Sequence, residues 1–489
     1  MSNTLLHPVT IFGLSLLVLY LLKRFWSKRK VSNLPYPPGP KGHLIIGNLF
    51  DIGKRETPWI HYSNLSKEYG DMVFLESFGT KLLILSSVER VTDLLDKRSS
   101  NYSGRHYLPM LCGEMKYDEF FSNMTYSPEW RKQRRMFHQH FNATVVSRYH
   151  PIISSGVSRY VEDITASPQR FRRHIQYYFN RLIFRSFYGV EILEEDDPYI
   201  KQGAETMEGF IVAGIPGSFM VDMIPALTYV PKWLPGTGWK DFAEYYRKKS
   251  RQARDEPYDH ALKSMREGTC EPSVASRVVE TLPPTSDPAR DEEEKAARDV
   301  LTLGYIGSLA AAMTFVLLMA LHPEVQKRAQ AELDEVVGFG QIPTFEDQPK
   351  LVYIDALLRE LFRWHSEVPL GLPHTATSDD IYDGYSIPKD TIVVANVWQI
   401  LRNPAHYDNP NEFNPGRHIK DGQINKDILD PYTVAFGFGR RICPGRHLSL
   451  DTLFAIVTAT LAMFDISPPK DDAGNSNMKY SFNSEGAVL

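Results

Sequence analysis

FGFGRRICPGRHLSL, Phe436 to Leu450, sets a cysteine where a tight backbone gives way to a helix. Gly437, Gly439, Pro444 and Gly445 mark an irregular segment, because glycine enters dihedrals closed to other residues and proline fixes φ. The stretch that follows, RHLSLDTLFAIVTATLAMF from Arg446 to Phe464, is apolar, free of proline and predicted to be helical. Cys443 therefore stands at a helix N-terminus, beside unpaired N–H groups and the positive end of the dipole. Arg440 and Arg441 add positive charge beside it. All three features favour thiolate over thiol.

The rest of the chain is ordinary in bulk. It has 489 residues, 43% hydrophobic and 23% charged, with a net charge of -4. That is globular composition with ample apolar residues for a large core, and it gives no sign of a nucleic-acid partner. The three cysteines, Cys112, Cys270 and Cys443, lie far apart with no metal-finger spacing. They argue for a reducing compartment and against a disulfide framework.

The N-terminus differs. TLLHPVTIFGLSLLVLYLL, Thr4 to Leu22, is nearly uncharged, and KRFWSKRK follows it. At helical rise this run comes close to hydrocarbon thickness. A cleaved signal peptide would carry its positive charge first, so residues 1–30 read as a retained anchor with a basic stop, leaving the main body in the cytosol. Residues 31–42, including LPYPPGPKG, read as a stiff proline strap. Residues 43–489 read as one large domain. In it, HLIIGNL and MVFLESFGTKLLILSS alternate like strands, and DIYDGYSIPKDTIVVANVW reads as a hairpin and a strand. Between them, from Ser87 to about Phe362, the pattern is mostly helical. VDMIPALTYVPKWLPGTGWK, Val221 to Lys240, interrupts it as either a buried loop or an apolar surface element that dips into a membrane. The fold class is mainly α with a minor sheet segregated to one side.

Ten residues of the opening stretch satisfy Phe-x-x-Gly-x-Arg-x-Cys-x-Gly through Phe436, Gly439, Arg441, Cys443 and Gly445. A thiolate held by backbone donors suits a soft axial ligand to haem iron; an inert buried cysteine is the bland alternative. With this pattern the chain resembles the cytochrome P450 family, most closely its membrane-bound fungal (class E, group I-like) members. The resemblance implies a triangular prism of helices around haem b, with Cys443 on the iron.

Other segments fall in the family's order. ELFR gives Glu360 and Arg363, which on residue grounds alone can be a weak surface pair. By resemblance they form a buried triad with Arg417 of FNPGRHI, which supports the cysteine loop. Gly416 and His418 depart from the family's usual glutamate and phenylalanine there. PEWRKQRRMFHQHF places Trp130 and Arg134 on one helix face. The resemblance directs both to a haem propionate, together with Arg441 and with His374 of PLGLPH. His374 can instead be a solvent-facing turn residue.

LTLGYIGSLAAAMTF, Leu301 to Phe315, reads as a helix and resembles the family helix over the haem. That helix usually carries an acid and a threonine that hold water beside the oxygen. Here either Gly304-Tyr305-Ile306-Gly307 replaces that motif without a gap, or, as the better match, GS and LAAAMTF flank a gap where acid-Thr-Thr is expected; Ser308 is the best remaining hydroxyl. YSFNSEGAVL ends the chain where the family usually runs on into a pocket-lining strand. The two losses read as a faulty gene model, a splice product or a decaying gene.

The resemblance thus implies a haem-thiolate monooxygenase in the endoplasmic reticulum membrane. It is fed by an NADPH-cytochrome reductase flavoprotein and inserts one oxygen atom from O2 into an apolar molecule, with oxygen activation impaired. A peroxide-using or isomerising enzyme and a non-catalytic haem-binding membrane protein are the alternatives. The segment Ser103 to Ser127 is expected to form part of the pocket wall.

Overall fold

The structure, a computed structural model, describes residues 34–52, 57–194, 196–214, 218–305 and 309–469. After the strap comes α1 (Pro58–Tyr69), with proline in its first turn and Gly70 at φ 99 ending it. Strands β1 (Met72–Ser77) and β2 (Thr80–Leu85) follow as an antiparallel pair. The helical body comprises α2 (Pro128–Phe141), α3 (His150–Ala166), α4 (Phe171–Tyr188), α5 (Pro198–Gly214), α6 (Gly238–Arg266), α7 (Val274–Thr281), α8 (Arg290–Thr302), α9 (Leu309–Leu321), α10 (Pro323–Val336) and α11 (Val352–Trp364). Four strands come next: β3 (His374–Thr375), β4 (Asp380–Tyr382), β5 (Tyr385–Ile387) and β6 (Ile392–Ala395). The chain then runs through coil and short helical turns, with the short pair β7 (Ile419–Lys420) and β8 (Gln423–Ile424), into α12 (Arg446–Met463). The architecture is mainly α with a small segregated sheet.

That sheet has the order β1-β2-β6-β3, with β2 and β6 parallel. Its side chains alternate between two cores, as the period of a strand requires. Met72, Phe74, Leu83, Leu85, Val393 and Ala395 pack with Tyr102, Leu401 and Phe438 on one face. Val73, Leu75, Leu82, Ile84 and Val394 pack on Tyr62 and Leu65 of α1. The strap is tied to the sheet: Phe74 N–H donates to Pro38 O at 2.8 Å, Ser386 N–H donates to Pro35 O at 2.8 Å, and Tyr36 stacks on Phe74.

α12 is buried continuously from Thr452 to Leu461. Its three buried threonines hydrogen-bond back to carbonyls of their own helix, at 2.6–2.8 Å, so none of these three hydroxyls is left unsatisfied. α11 begins without a local cap. Glu332 of α10 supplies one instead, accepting from the N–H groups of Tyr353 (2.7 Å) and Ile354 (2.9 Å).

Two readings need correction. HLIIGNL is no strand: His43 and Gly47 exchange both backbone hydrogen bonds across a tight turn, and Leu44 and Ile45 are exposed. Gly47 has φ 60, and a side chain on it would collide with Glu76 O. LTLGYIGSLAAAMTF is not one helix either. α8 ends at Thr302, a 3₁₀ turn covers Leu303–Tyr305, and α9 starts at Leu309. Gly304 lies so close to Phe187 of α4 that a side chain would meet the ring. The anchor region 1–30, Ser308 and YSFNSEGAVL fall outside the described residues. Among the described residues no helix is long and apolar enough to cross a membrane.

Candidate haem-thiolate site

The cysteine loop is built from glycines and short-range backbone bonds. Gly437 (φ 79) and Gly439 (φ 53) occupy left-handed conformations, and a side chain on Gly439 would strike Leu95 O. A 3₁₀ turn over Gly439–Arg441 leads into Cys443, whose N–H donates to Phe436 O at 2.7 Å. Gly445 is the N-cap of α12, and its backbone amide favours the charged form of the Cys443 sulfur. The Phe436 ring packs on Phe362 of α11, with centroids 5.0 Å apart. Burial pushes the thiol up, against the pull of the Gly445 amide and Arg134. The local features read from the sequence are therefore outweighed by desolvation, and a ligated cation is what would tip the sulfur to thiolate.

Positive charge gathers around this loop. Arg134 Nη2 donates to Ile442 O, next to Cys443. Arg441 is buried; it donates to Ser103 O (2.7 and 2.9 Å), Phe121 O (3.1 Å) and Met124 O (2.8 Å), and it lies 4.5 Å over the Trp130 ring. The Trp130 indole N–H donates to Phe121 O at 3.0 Å, so Trp130 offers the site its face and not its donor. His374 is buried on β3 and donates Nδ1–H to Tyr102 O at 2.6 Å, which leaves Nε2 as an acceptor. Burial and the neighbouring Arg105 and Arg441 push its protonation well down.

Arg105 is a residue the sequence reading passed over. It donates to the carbonyls of Ser122, Leu372 and Pro373 at 2.8–3.0 Å. Burial, then repulsion from Arg134, makes its charge costly. Arg441 suffers from burial and from both other arginines, and Arg134 from burial and Arg446. Among the described residues, no carboxylate pairs with Arg105, Arg134 or Arg441. The signal in the sequence was an arginine inside the otherwise uncharged SGRHYLPML.

These groups share a further property. Cys443, Arg105 and Arg134 keep accessible surface although protein surrounds them on nearly every side. Surface retained so deep in the protein leaves these side chains room for a ligand. An iron porphyrin carrying two carboxylates fits such a setting: one soft donor for the metal, three unneutralised guanidiniums for the carboxylates.

Behind the loop, Glu360 and Arg363 of α11 are fully buried. Arg363 donates to Glu360 through Nε (2.7 Å) and Nη2 (2.9 Å), and to the carbonyls of Leu401, Pro410 and Glu412 at 2.8–3.1 Å. Arg417 Nε reaches Glu360 Oε1 at 3.2 Å, and Asn414 N–H donates to the same oxygen at 2.8 Å. His418, a departure from the family pattern, brings Nε2 to 2.9 Å from Glu360 Oε2. Burial alone would raise the Glu360 carboxyl; His418 and Arg363 overcome it and hold the carboxyl down at about 2.

Thr302 is the last residue of α8 and stands directly before the break. The Thr302 hydroxyl donates to Arg298 O at 2.8 Å within its own helix.

The sequence profile of the cytochrome P450 family matches residues 37–487. Cytochrome P450 monooxygenase COX1 of Coprinopsis cinerea is 40% identical over 470 residues, which is 94% of this chain and 90% of the relative. COX2 of the same fungus is 42% identical over 449 residues, 90% of this chain and 84% of the relative. Tryptamine 4-monooxygenase of Psilocybe cyanescens is 36% identical over 457 residues, 92% and 89% of the two chains. These relatives favour oxygen insertion over the peroxide-using, isomerising and non-catalytic alternatives. With a cysteine loop, a buried Glu–Arg cluster and a match spanning nearly its whole length, the chain belongs to the cytochrome P450 family of haem-thiolate monooxygenases.

Proposed function

We propose that Cys443 is the thiolate ligand of haem b and that Arg105, Arg134 and Arg441 hold its propionates. Trp130 and His374 shape their surroundings, and Phe436 and Gly445 fix the cysteine loop. The observation that carries this reading is the convergence of three guanidiniums, unpaired with any acid among the described residues, around a deeply set cysteine that keeps accessible surface. When bound, haem supplies O2 activation, with electron donation from the thiolate. The chain's own residues set its conditions: Gly445 N–H tempers the sulfur, Arg134 ties α2 to the cysteine loop, and the Glu360 cluster holds the coil behind it. If the arginines hold carboxylates, Arg105→Gln and Arg441→Gln each lose a charge-assisted bond worth about 1.5–3 kcal/mol. Transfer of haem to an excess of apomyoglobin is then expected to speed up roughly tenfold or more. Unchanged haem loss in both variants contradicts the assignment.

The finer reading places the enzyme at the endoplasmic reticulum membrane, with electrons from an NADPH-cytochrome reductase flavoprotein. Support comes from exposed apolar groups on the body: Tyr229 and Trp233 in the Val221–Lys240 segment, and Leu44 and Ile45 in the turn after the strap. In vesicles with brominated acyl chains, the emission that distinguishes wild type from Trp233→Phe is expected to be quenched. Full emission there removes this segment from the membrane face. We read the substrate as an apolar small molecule from the resemblance; Tyr117 and Phe120 of the Ser103–Ser127 segment stand with Phe210 and Leu303 beside the 3₁₀ turn, around a void of about 20 Å³ that also touches Ser122, Asn123, Thr206 and Thr302.

A further inference from the structure

Glu367 is the one acid in HSEVPLGLPH, the connection from α11 to β3. Its Oε1 accepts a hydrogen bond from Ala311 N–H at 3.0 Å. Ala311 is in the first turn of α9, where amide groups have no partner inside the helix. The interrupted helix is thus capped from another element, as α11 is by Glu332.

The setting of the two caps differs. Glu332 spends both oxygens on α11. Glu367 spends one, and Oε2 has no hydrogen-bond partner among the described residues. The Glu367 side chain lies deep in the protein yet retains accessible surface, as Cys443, Arg105 and Arg134 do. Its charge is felt at the Cys443 sulfur. Among the described residues no cation pairs with it. Burial pushes the carboxyl up, and only the Ala311 amide opposes this. A carboxyl in that position is suited to hold a proton and release it.

We propose that Glu367 is the proton-holding carboxyl of the oxygen-handling side of the pocket, anchored to α9 through Oε1 and delivering its proton from Oε2. The proposal rests on the haem-thiolate reading above and deepens it. Insertion of one oxygen atom from O2, with release of the other as water, consumes two electrons and two protons. The reductase supplies the electrons. At Glu367 the Oε2–H bond breaks, the proton passes to a cavity water and on to the oxygen that leaves as water, and the carboxylate is reprotonated from solvent through the same water. The acid that the resemblance leads one to expect on the helix is then carried on a different element.

Glu367→Gln separates this role from capping. A glutamine carbonyl can accept from Ala311 N–H as a carboxylate does, but it holds no titratable proton. The full chain is compared with the variant in three measurements. Product formed per NADPH with O2 and reductase is expected to fall roughly a hundredfold, with reduced oxygen released as peroxide. Haem content and the thermal unfolding midpoint are expected to stay at wild-type values. The infrared spectrum of the wild type near neutral pH is expected to show a protonated carboxyl C=O band that the variant lacks. Unchanged coupling in Glu367→Gln overturns the proposal, and so does a loss of coupling matched by an equal loss of haem or of stability. Should the variant fail to fold, Glu367→Asp provides the check: it keeps the acid but shortens its reach, and full coupling with the infrared band absent also overturns the proposal. Failure of the haem-thiolate reading itself shows separately, as a wild-type protein without thiolate-ligated haem.

Discussion

Replacing Cys443 with serine is expected to abolish O2-dependent turnover while leaving the fold in place. Serine has the shape of cysteine, and the loop is held by contacts that the exchange does not touch: Cys443 N–H to Phe436 O at 2.7 Å, the left-handed Gly437 and Gly439, and the Gly445 cap. What is lost is the soft donor. A neutral hydroxyl neither matches the metal as a thiolate does nor supplies the electron donation that favours O–O cleavage. Changes in groups that only support a ligand typically cost 10- to 100-fold, so loss of the ligand itself is expected to cost more than about a hundredfold. The check is product formation with reductase and NADPH, alongside thermal unfolding. Turnover within about tenfold of wild type contradicts the role of Cys443.

Arg363→Ala is expected to be the most destabilising single exchange in the cluster behind the loop. Arg363 and Glu360 have no exposed surface. Removing the guanidinium takes two bonds from Glu360 and leaves the carbonyls of Leu401, Pro410 and Glu412 without their donor. Arg417 and His418 still face Glu360, so the charge is not bare, but the cavity left by arginine is buried. Breaking a buried pair by deleting one partner costs about 3–5 kcal/mol, a large share of the ~5–15 kcal/mol that holds an ordinary domain together. Denaturant unfolding of the full chain measures it. Haem retention should fall with stability, because the carbonyls Arg363 holds belong to the coil that leads to Cys443. A shift below about 1 kcal/mol, the value of a surface pair, contradicts the account.

The parts of this fold that are local were legible in the sequence. Alternation predicts β1 and β2, and the DGYSIP turn signal predicts the β4–β5 hairpin. The apolar run after Gly445 predicts α12. Apolar periodicity failed at His43–Leu49 because an exposed apolar turn and a short strand look alike without their surroundings. It failed again at Leu301–Phe315, where the break depends on how closely Gly304 meets Phe187 of another helix. The site divides in the same way. Cys443, Arg441, Arg134 and Glu360 stand in spaced patterns that can be read along the chain. Arg105, Glu367 and His418 matter through partners far away in sequence: Ser122 and Pro373, Ala311, and Glu360. Their only trace is a charged or titratable group in an apolar or proline-rich segment.

The departure at Leu301–Phe315 also looks different with its neighbours in place. The resemblance leads one to expect an acid and a threonine in this stretch, and the sequence does not supply that pair. The structure adds a carboxyl from the α11–β3 connection, bound to the first turn of the helix half that remains. Whether the pocket can move a proton thus becomes a question about Glu367 as much as about α9.

All of this depends on Cys443 holding the iron. The direct measurement is the absorption spectrum of the purified full chain after reduction and exposure to carbon monoxide. A strongly red-shifted Soret band, the signature of thiolate-ligated haem, is the predicted result. Haem bound to the protein with the Soret band at an unshifted position would contradict it.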